Sequence, residues 1–193
     1  MNTEQLILNH SMRLFAEKGY HGTSIDDITQ SAGLTKGALY WHFKSKEELI
    51  KRIIREYESR FLDKMIRVVG KVKGGALDKF EKYLQFCSAF PYYNQDLCIS
   101  FDSLAIELIG AHHRVEPEIV RINKKYRKFI SDLIVQGKKE RVFSSKLNAR
   151  YAALAIEAFQ RGGLIQWSMN KNGIDGEKFV GVLNHIVLNG MKK

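Results

Sequence analysis

Apolar positions recur at three- and four-residue spacing from the start of the chain, so the elements they predict are helices. Leu6, Ile7, His10, Leu14 and Phe15 give residues 3–18 one apolar stripe, with Glu4 at the positive N-terminal end. Gly19 offers the left-handed conformation that ends helices, and Tyr20 can fold back on the last turn. Thr23, with Asp26 three residues on, resembles a capping box for a short helix whose inner face is Ile25, Ile28 and Ala32. Gly33 ends that helix and Leu34 plugs the turn. Thr35 caps a helix of about two turns that points Ala38, Leu39 and Phe43 inward. Ser45 and Glu48 form a second capping-box pattern, opening a helix from about 46 to 71 with Leu49, Ile53, Tyr57, Phe61, Met65 and Val68 along one side.

The stretch from Gly70 to Gly75 reads as a flexible basic break. Beyond it the spacing predicts helices at about 76–90, 94–111, 116–139, 147–170 and 174–190. Their separators are Pro91, the segment before Pro117, residues 142–145 and Lys171 to Gly173, and Pro117 suits a helix's first turn. No segment alternates with period two between turn signals, so the expected fold is all-α with about nine helices.

Composition changes this picture little. The 193 residues can bury a real core, and no apolar run approaches the roughly 20 residues of a membrane span. The first residues lack a basic stretch followed by an apolar one, so a cytoplasmic protein is expected. Cys87 and Cys98 lack CxxC spacing and read as reduced, mostly buried thiols. The adjacent His112 and His113 diverge on a helix and cannot share an ion, so neither metal nor cofactor is expected. Without G-x-S-x-G, H-E-x-x-H, a P-loop or a Rossmann fingerprint, an enzyme is not expected. The net charge of +10 suggests nucleic acid, but its location is informative. Residues 1–50 carry five Lys/Arg (Arg13, Lys18, Lys36, Lys44, Lys46) against six acidic residues (Glu4, Glu17, Asp26, Asp27, Glu47, Glu48), a net of −1. The surplus lies beyond residue 50.

Within Thr23–Lys46, Tyr40, Trp41 and His42 are consecutive, and consecutive helical residues point about 100° apart. At least one ring must face outward, flanked by lysines. Phe15-Ala16-Glu17-Lys18-Gly19-Tyr20, Thr23-Ser24-Ile25, Ile28, Ala32-Gly33-Leu34, Lys36 to Phe43, Lys44, Lys46, Glu47 and Leu49 together resemble the helix-turn-helix of the TetR family of bacterial transcription regulators. The resemblance covers roughly the first quarter of the chain.

A recognition helix presents N-terminal side chains to base edges in the major groove. Gly37 leaves room for close approach to DNA, and Lys36 can reach guanine acceptors or a phosphate. Thr23, Ser24 and Thr35 can offer hydroxyls and helix N-terminal N–H groups to phosphates. The resemblance implies phosphate or base contacts for Tyr40, Trp41, His42 and Lys46, with Lys44 as a backbone contact. A Trp41 packed on the following long helix is the alternative for that ring.

A helix-turn-helix gains affinity by reading two half-sites as a dimer. The resemblance implies a four-helix interface built from the last two helices of each subunit, with Ala152, Ala155, Ile156, Phe159, Gly163, Trp167, Phe179, Val182, Leu183 and Ile186 in it. The other reading is that these faces bury each other within one chain. The aromatic-rich middle helices read as core or, with the resemblance, as a ligand cavity; Phe61, Met65, Tyr83, Phe86, Phe90, Phe101, Asp102, Glu107, His113 and Gln160 are its candidate lining. Arg121, Lys124, Lys125, Arg127 and Lys128 read as a solvated face or as a site for an anionic acyl-coenzyme A.

The expected division is a DNA-binding domain at 1–46 and a helical effector-binding and dimerisation domain at 47–193. The implied function is a ligand-responsive, sequence-specific regulator, a homodimeric repressor released from a palindromic double-stranded operator by a small, mostly apolar effector of unknown identity. The alternatives are an effector-independent DNA-binding protein and a repressor sensing acyl-coenzyme A.

Overall fold

The computed structural model describes residues 2–170 and 172–192, so Lys171, expected in the last turn, lies outside the described residues. In order, the helices are α1 (Thr3–Lys18), α2 (Ile25–Ala32), α3 (Lys36–His42), α4 (Lys46–Tyr57), a π-helical turn (Glu58–Asp63), α5 (Lys64–Gly70), α6 (Ala76–Tyr93), α7 (Gln95–Leu108), α8 (Glu116–Lys139), α9 (Ala149–Met169) and α10 (Gly176–Met191). No strand occurs among the described residues. Counting α4, the π turn and α5 as one unbroken succession, the helices among the described residues number nine, as the apolar spacing predicts.

The π turn corrects one detail of that spacing. The buried row runs Leu49, Ile53, Tyr57, Phe61, Met65, Val69, with Val69 in place of the expected Val68. Each four-residue step drifts about 40° around an ordinary α-helix. The wider π turn offsets part of that drift. Pro91 is a second correction, since it lies inside α6 and does not end it. Lacking an N–H, it leaves the carbonyl four residues back, on Cys87, without its helical donor.

The chain forms two compact units: Met1–Phe61 with Asn94–Ile122, and Leu62–Tyr93 with Asn123–Lys193. The expected boundary after residue 46 falls inside the first, because α1 packs along α7 as well as on α2, α3 and α4. Ile7, Phe15, Ile28, Leu39, Ile53 and Phe101 are fully buried there, each contributing about 1.5–3 kcal/mol. Tyr57 and Phe101 stack with ring centroids 3.8 Å apart. This broad contact explains why α1 buries Leu8, Ser11 and Met12 in addition to the expected Ile7, Leu14 and Phe15, while the expected Leu6 and His10 are only half-buried, His10 Nδ1 lying 2.8 Å from the Ser31 hydroxyl.

The second unit buries Met65, Phe80, Tyr83, Ile130, Ile134 and Phe143. Phe143 folds back over the end of α8, donating its N–H to the Gly137 carbonyl. A Cβ on Gly137 would lie 2.0 Å from the Phe143 ring, so only glycine admits this return.

Candidate functional site

Ser24 is the cap that opens α2, correcting the expected pairing of Thr23 with Asp26. The Ser24 hydroxyl accepts the Asp27 N–H at 3.0 Å and Asp27 Oδ2 accepts the Ser24 N–H at 2.7 Å. The Ser24 hydroxyl also donates to Asp27 Oδ2 at 2.5 Å, and that bond, then the one from the Ser24 N–H, holds the Asp27 carboxyl below its ordinary range. Thr23 is buried, and its hydroxyl donates to the Leu14 and Gly19 carbonyls, tying the turn to α1 instead of facing outward. Thr35 caps α3 as expected, accepting the Ala38 N–H at 3.2 Å. At α4 only half of the expected box forms: Glu48 donates its N–H to the Ser45 hydroxyl, while its carboxylate takes the Lys44 N–H.

Leu39 and Phe43 anchor α3 in the core. At about 100° per residue, positions 36, 37, 40 and 41 then share one outer sector of roughly 140°. There Lys36 and Gly37 are exposed, Tyr40 is 44% exposed and Trp41 81%, so Trp41 does not pack against the following helix. Lys44 is exposed just beyond α3, and His42 is half-buried, turned off this sector. A Cβ on Gly37 would meet nothing closer than the Thr35 hydroxyl at 3.8 Å. The chain's own packing therefore does not call for glycine there. Lys36 reaches across to Asp26 at 2.7 Å, a hydrogen bond that raises its pKa, and both groups are exposed, so water or an anion can replace the partner.

Lys46 lies differently. Its ammonium donates to the Tyr20 carbonyl and sits 3.9 Å from the Tyr20 ring centroid. Burial pushes its pKa down, against the attraction of Glu107 and Asp27. Glu107, from α7, accepts the Tyr20 N–H at 2.9 Å and the His21 N–H at 3.0 Å. His113 Nε2 stands 3.3 Å from the Tyr20 hydroxyl, with the rings edge to face. Tyr20 is thus gripped at backbone, ring and hydroxyl. Glu107 and His113, candidate ligand groups in the sequence, are engaged with the α1–α2 turn.

Of the other candidate lining, Phe61, Phe101 and Asp102 belong to the first unit, and Met65, Tyr83, Phe86, Phe90 and Gln160 to the second. In the second, the Tyr83 and Tyr126 hydroxyls both donate to Gln160 Oε1, at 2.7 and 2.5 Å, and stand 3.0 Å apart. Burial raises the Tyr83 pKa, and it pushes the Cys87 thiol up to about 12, so that thiol stays protonated. Tyr126 is not among the residues singled out in the sequence. Its signal is its place in the apolar row Ile119, Ile122, Tyr126, Ile130, where a hydroxyl must find a partner.

The basic residues of α8 are largely ion-paired: Arg121 with Glu58 at 2.6 Å, Lys125 with Asp63 at 2.6 Å, Arg127 with Glu157 at 3.2 Å and Lys128 with Asp132 at 2.7 Å.

The expected interface residues divide. Ile156 and Gly163 are buried within the chain, and a Cβ on Gly163 would lie 2.7 Å from a Leu183 methyl. Ala152, Phe159, Trp167, Phe179 and Leu183 are half-buried. Ala155, Val182 and Ile186 are exposed. Leu154, Ala158, Gly162 and Ile165 are exposed as well, so both α9 and α10 carry uncovered apolar residues.

Residues 7–53 match the family model for bacterial regulatory proteins of the tetR family. The HTH-type transcriptional regulator QacR of Staphylococcus aureus is 26% identical over 194 residues, covering all of both chains. The HTH-type transcriptional regulator AcrR of Shigella flexneri is 37% identical over 82 residues, 42% of this chain and 38% of that protein, so the matched stretch spans little more than a third of that relative. The MbdR regulator from Azoarcus sp. CIB has a crystal structure similar over the full length of both chains, with a TM-score of 0.90 and 26% identity. No described helix is long and apolar enough to cross a membrane.

Proposed function

We propose a mode of action for a chain that belongs to the TetR family of bacterial regulatory proteins: a cytoplasmic homodimeric repressor that places α3 in the major groove of two inverted half-sites and leaves the DNA when a small, mostly apolar effector binds its second unit. The observation that carries this reading is the outer sector of α3. Lys36, Gly37, Tyr40 and Trp41 project together, and neither the exposure of Trp41 nor the glycine at 37 has a cause inside the chain. Lys36 suits base edges or phosphate, and Tyr40, Trp41 and Lys44 suit the flanking backbone. The N-terminal N–H groups of α2 and α3, already aligned by Ser24 and Thr35, add phosphate donors. The uncovered apolar residues on α9 and α10 support dimerisation, which sets the half-site spacing. Binding energy that favours one arrangement of the effector unit then shifts the population away from the DNA-competent state.

The test is selection of bound fragments from the source genome, followed by footprinting. The reading requires one protected site of two inverted half-sites, lost in Trp41→Ala and shifted in base preference in Lys36→Ala. Protection without a discrete palindrome would refute it in favour of an architectural DNA-binding protein. Release of the fragment by members of an apolar compound panel tests the effector half of the proposal.

A further inference from the structure

We propose that one end of the second unit is a further DNA surface, which holds the phosphate backbone of a duplex without reading its sequence. This end is formed by the loop after α5, the close of α8 with its connection to α9, and the close of α10. The inference shares with the reading above only its partner, duplex DNA, and none of its residues.

The chain's surplus of positive charge has no part in the outer sector of α3, since residues 1–50 are net negative. Folding gathers it elsewhere. The Ala76 N–H donates to Glu140 at 2.6 Å, bringing the start of α6 to the end of α8. The Lys138 ammonium donates to the Leu147 carbonyl at 2.5 Å, which holds the α8–α9 connection against α8. The Ser144 N–H donates to the Met191 carbonyl at 2.9 Å, joining that connection to the end of α10. Residues 71–82, 138–150 and 191–192 thereby share one end. They hold ten Lys/Arg against three acidic residues, a net of +7 where the whole chain has +10.

This charge is not neutralised within the unit. Asp78 accepts the Gly75 N–H at 2.9 Å and Glu140 that of Ala76, so two of the three carboxylates fix the loop. Lys71, Lys73, Lys139, Arg141, Lys146 and Arg150 are exposed, and among the described residues none of these side chains has an ion-pair or hydrogen-bond partner. Elsewhere in the same unit Lys125, Arg127, Lys128 and Arg161 are all ion-paired. Two of the six also stand where the fold does not favour them. Arg141 has φ 62°, the left-handed position past a helix end where glycine is ordinary. Arg150 lies in the first turn of α9, where the helix dipole disfavours a cation and no acid accompanies it.

A duplex is the partner this end fits. Phosphates spaced along a stiff backbone match dispersed, unpaired cations that need no pocket. A bilayer would call for an apolar wedge beside the charge, yet Val72, Val142 and Leu147 in these loops are half-buried and Phe143 is wholly buried. The net of −1 over residues 1–50 gives the helix-turn-helix no long-range attraction of its own to a phosphate backbone, and this end supplies it.

Fluorescence anisotropy of a short labelled duplex of scrambled sequence tests the inference, using the full-length protein with Trp41→Ala so that α3 does not dominate. Replacing Lys139, Arg141, Lys146 and Arg150 together by Gln, with folding checked by circular dichroism, should weaken scrambled-duplex binding at least about tenfold near physiological salt and lower the slope of log K against log salt by about 2–4. The same charge removal at Lys64, Lys124, Lys128 and Lys178, further along the unit, should have a much smaller effect on both. No binding of the scrambled duplex, unchanged binding in the first variant, or equal loss in the two variants would each overturn the proposal. Sedimentation of the wild type with phosphatidylglycerol vesicles in preference to the duplex would overturn it in favour of a membrane. If footprinting finds inverted half-sites while the four Gln leave scrambled binding intact, the α3 reading stands and this surface falls. If no palindrome is found while the four Gln remove scrambled binding, this surface stands and the α3 reading falls.

Discussion

Replacing Gly19 by alanine tests whether the carboxylate of Glu107 holds the α1–α2 turn against α7. Gly19 has φ 71° and ψ −175°, a region that residues with a Cβ enter only under strain of about 1–3 kcal/mol. The new Cβ would also lie 1.9 Å from Glu107 Oε1. Glu107 is flexible enough to swing away, so the clash itself costs little. What is lost is the pair of bonds from the Tyr20 and His21 N–H groups. Bonds to a charged acceptor contribute about 1.5–3 kcal/mol each when buried; with His21 exposed, about 2 kcal/mol for the pair is reasonable. Gly19→Ala should then cost about 3–5 kcal/mol, a large share of a typical domain's stability. Glu107→Ala alone should cost about 2 kcal/mol, and Gly19→Ala made on top of it should add only the backbone strain. A double-mutant cycle by urea unfolding should therefore show a coupling of about 2 kcal/mol. If Gly19→Ala costs the same in both backgrounds, the carboxylate does not depend on the absent Cβ and the reasoning fails.

The salt dependence of operator binding should separate the two lysines after α3: Lys44→Ala should lower the slope of log K against log salt by about 0.9 with stability unchanged, and an unaltered slope would remove Lys44 from the DNA contacts. Lys46→Ala should also lower stability, by about 1–2 kcal/mol, because it loses the Tyr20 carbonyl and ring, and an unchanged thermal midpoint would show that this grip is not real. Val182→Glu with Ile186→Glu should give a folded monomer by sedimentation, each buried charge costing the dimer about 2 kcal/mol or more, and a persistent dimer would place the interface elsewhere. The Cys87 thiol ionises at about 12 in the folded chain against an ordinary 9.0, so the stability it contributes is complete below about 9 and is lost as pH rises towards 12. Wild type should lose stability relative to Cys87→Ala between pH 9 and 11, and parallel pH profiles would refute this.

Much of the geometry of α3 was legible in residue types because it is local. Thr35, Leu39, Phe43 and the spacing of Lys36, Gly37, Tyr40 and Trp41 specify a short helix with one apolar and one exposed side. The caps were harder: Thr23 and Ser24 both satisfy the pattern, and which hydroxyl caps depends on which one the Leu14 and Gly19 carbonyls draw inward. The π turn was hidden for a related reason, since a row of four-residue steps looks the same in sequence whether an α-helix drifts or a wider turn corrects it.

By itself the sequence determined the all-helical class, the helix limits near Gly19, Gly33 and Glu116, and the outward rings of α3, because short-range periodicity and capping act between residues a few positions apart. Only the tertiary structure decided the destinations of long side chains. Glu107 finds Tyr20 and His21 across 87 and 86 positions of chain, and Tyr83 finds Gln160 across 77. Those partners are chosen by how helices pack, and no spacing rule within one helix encodes them.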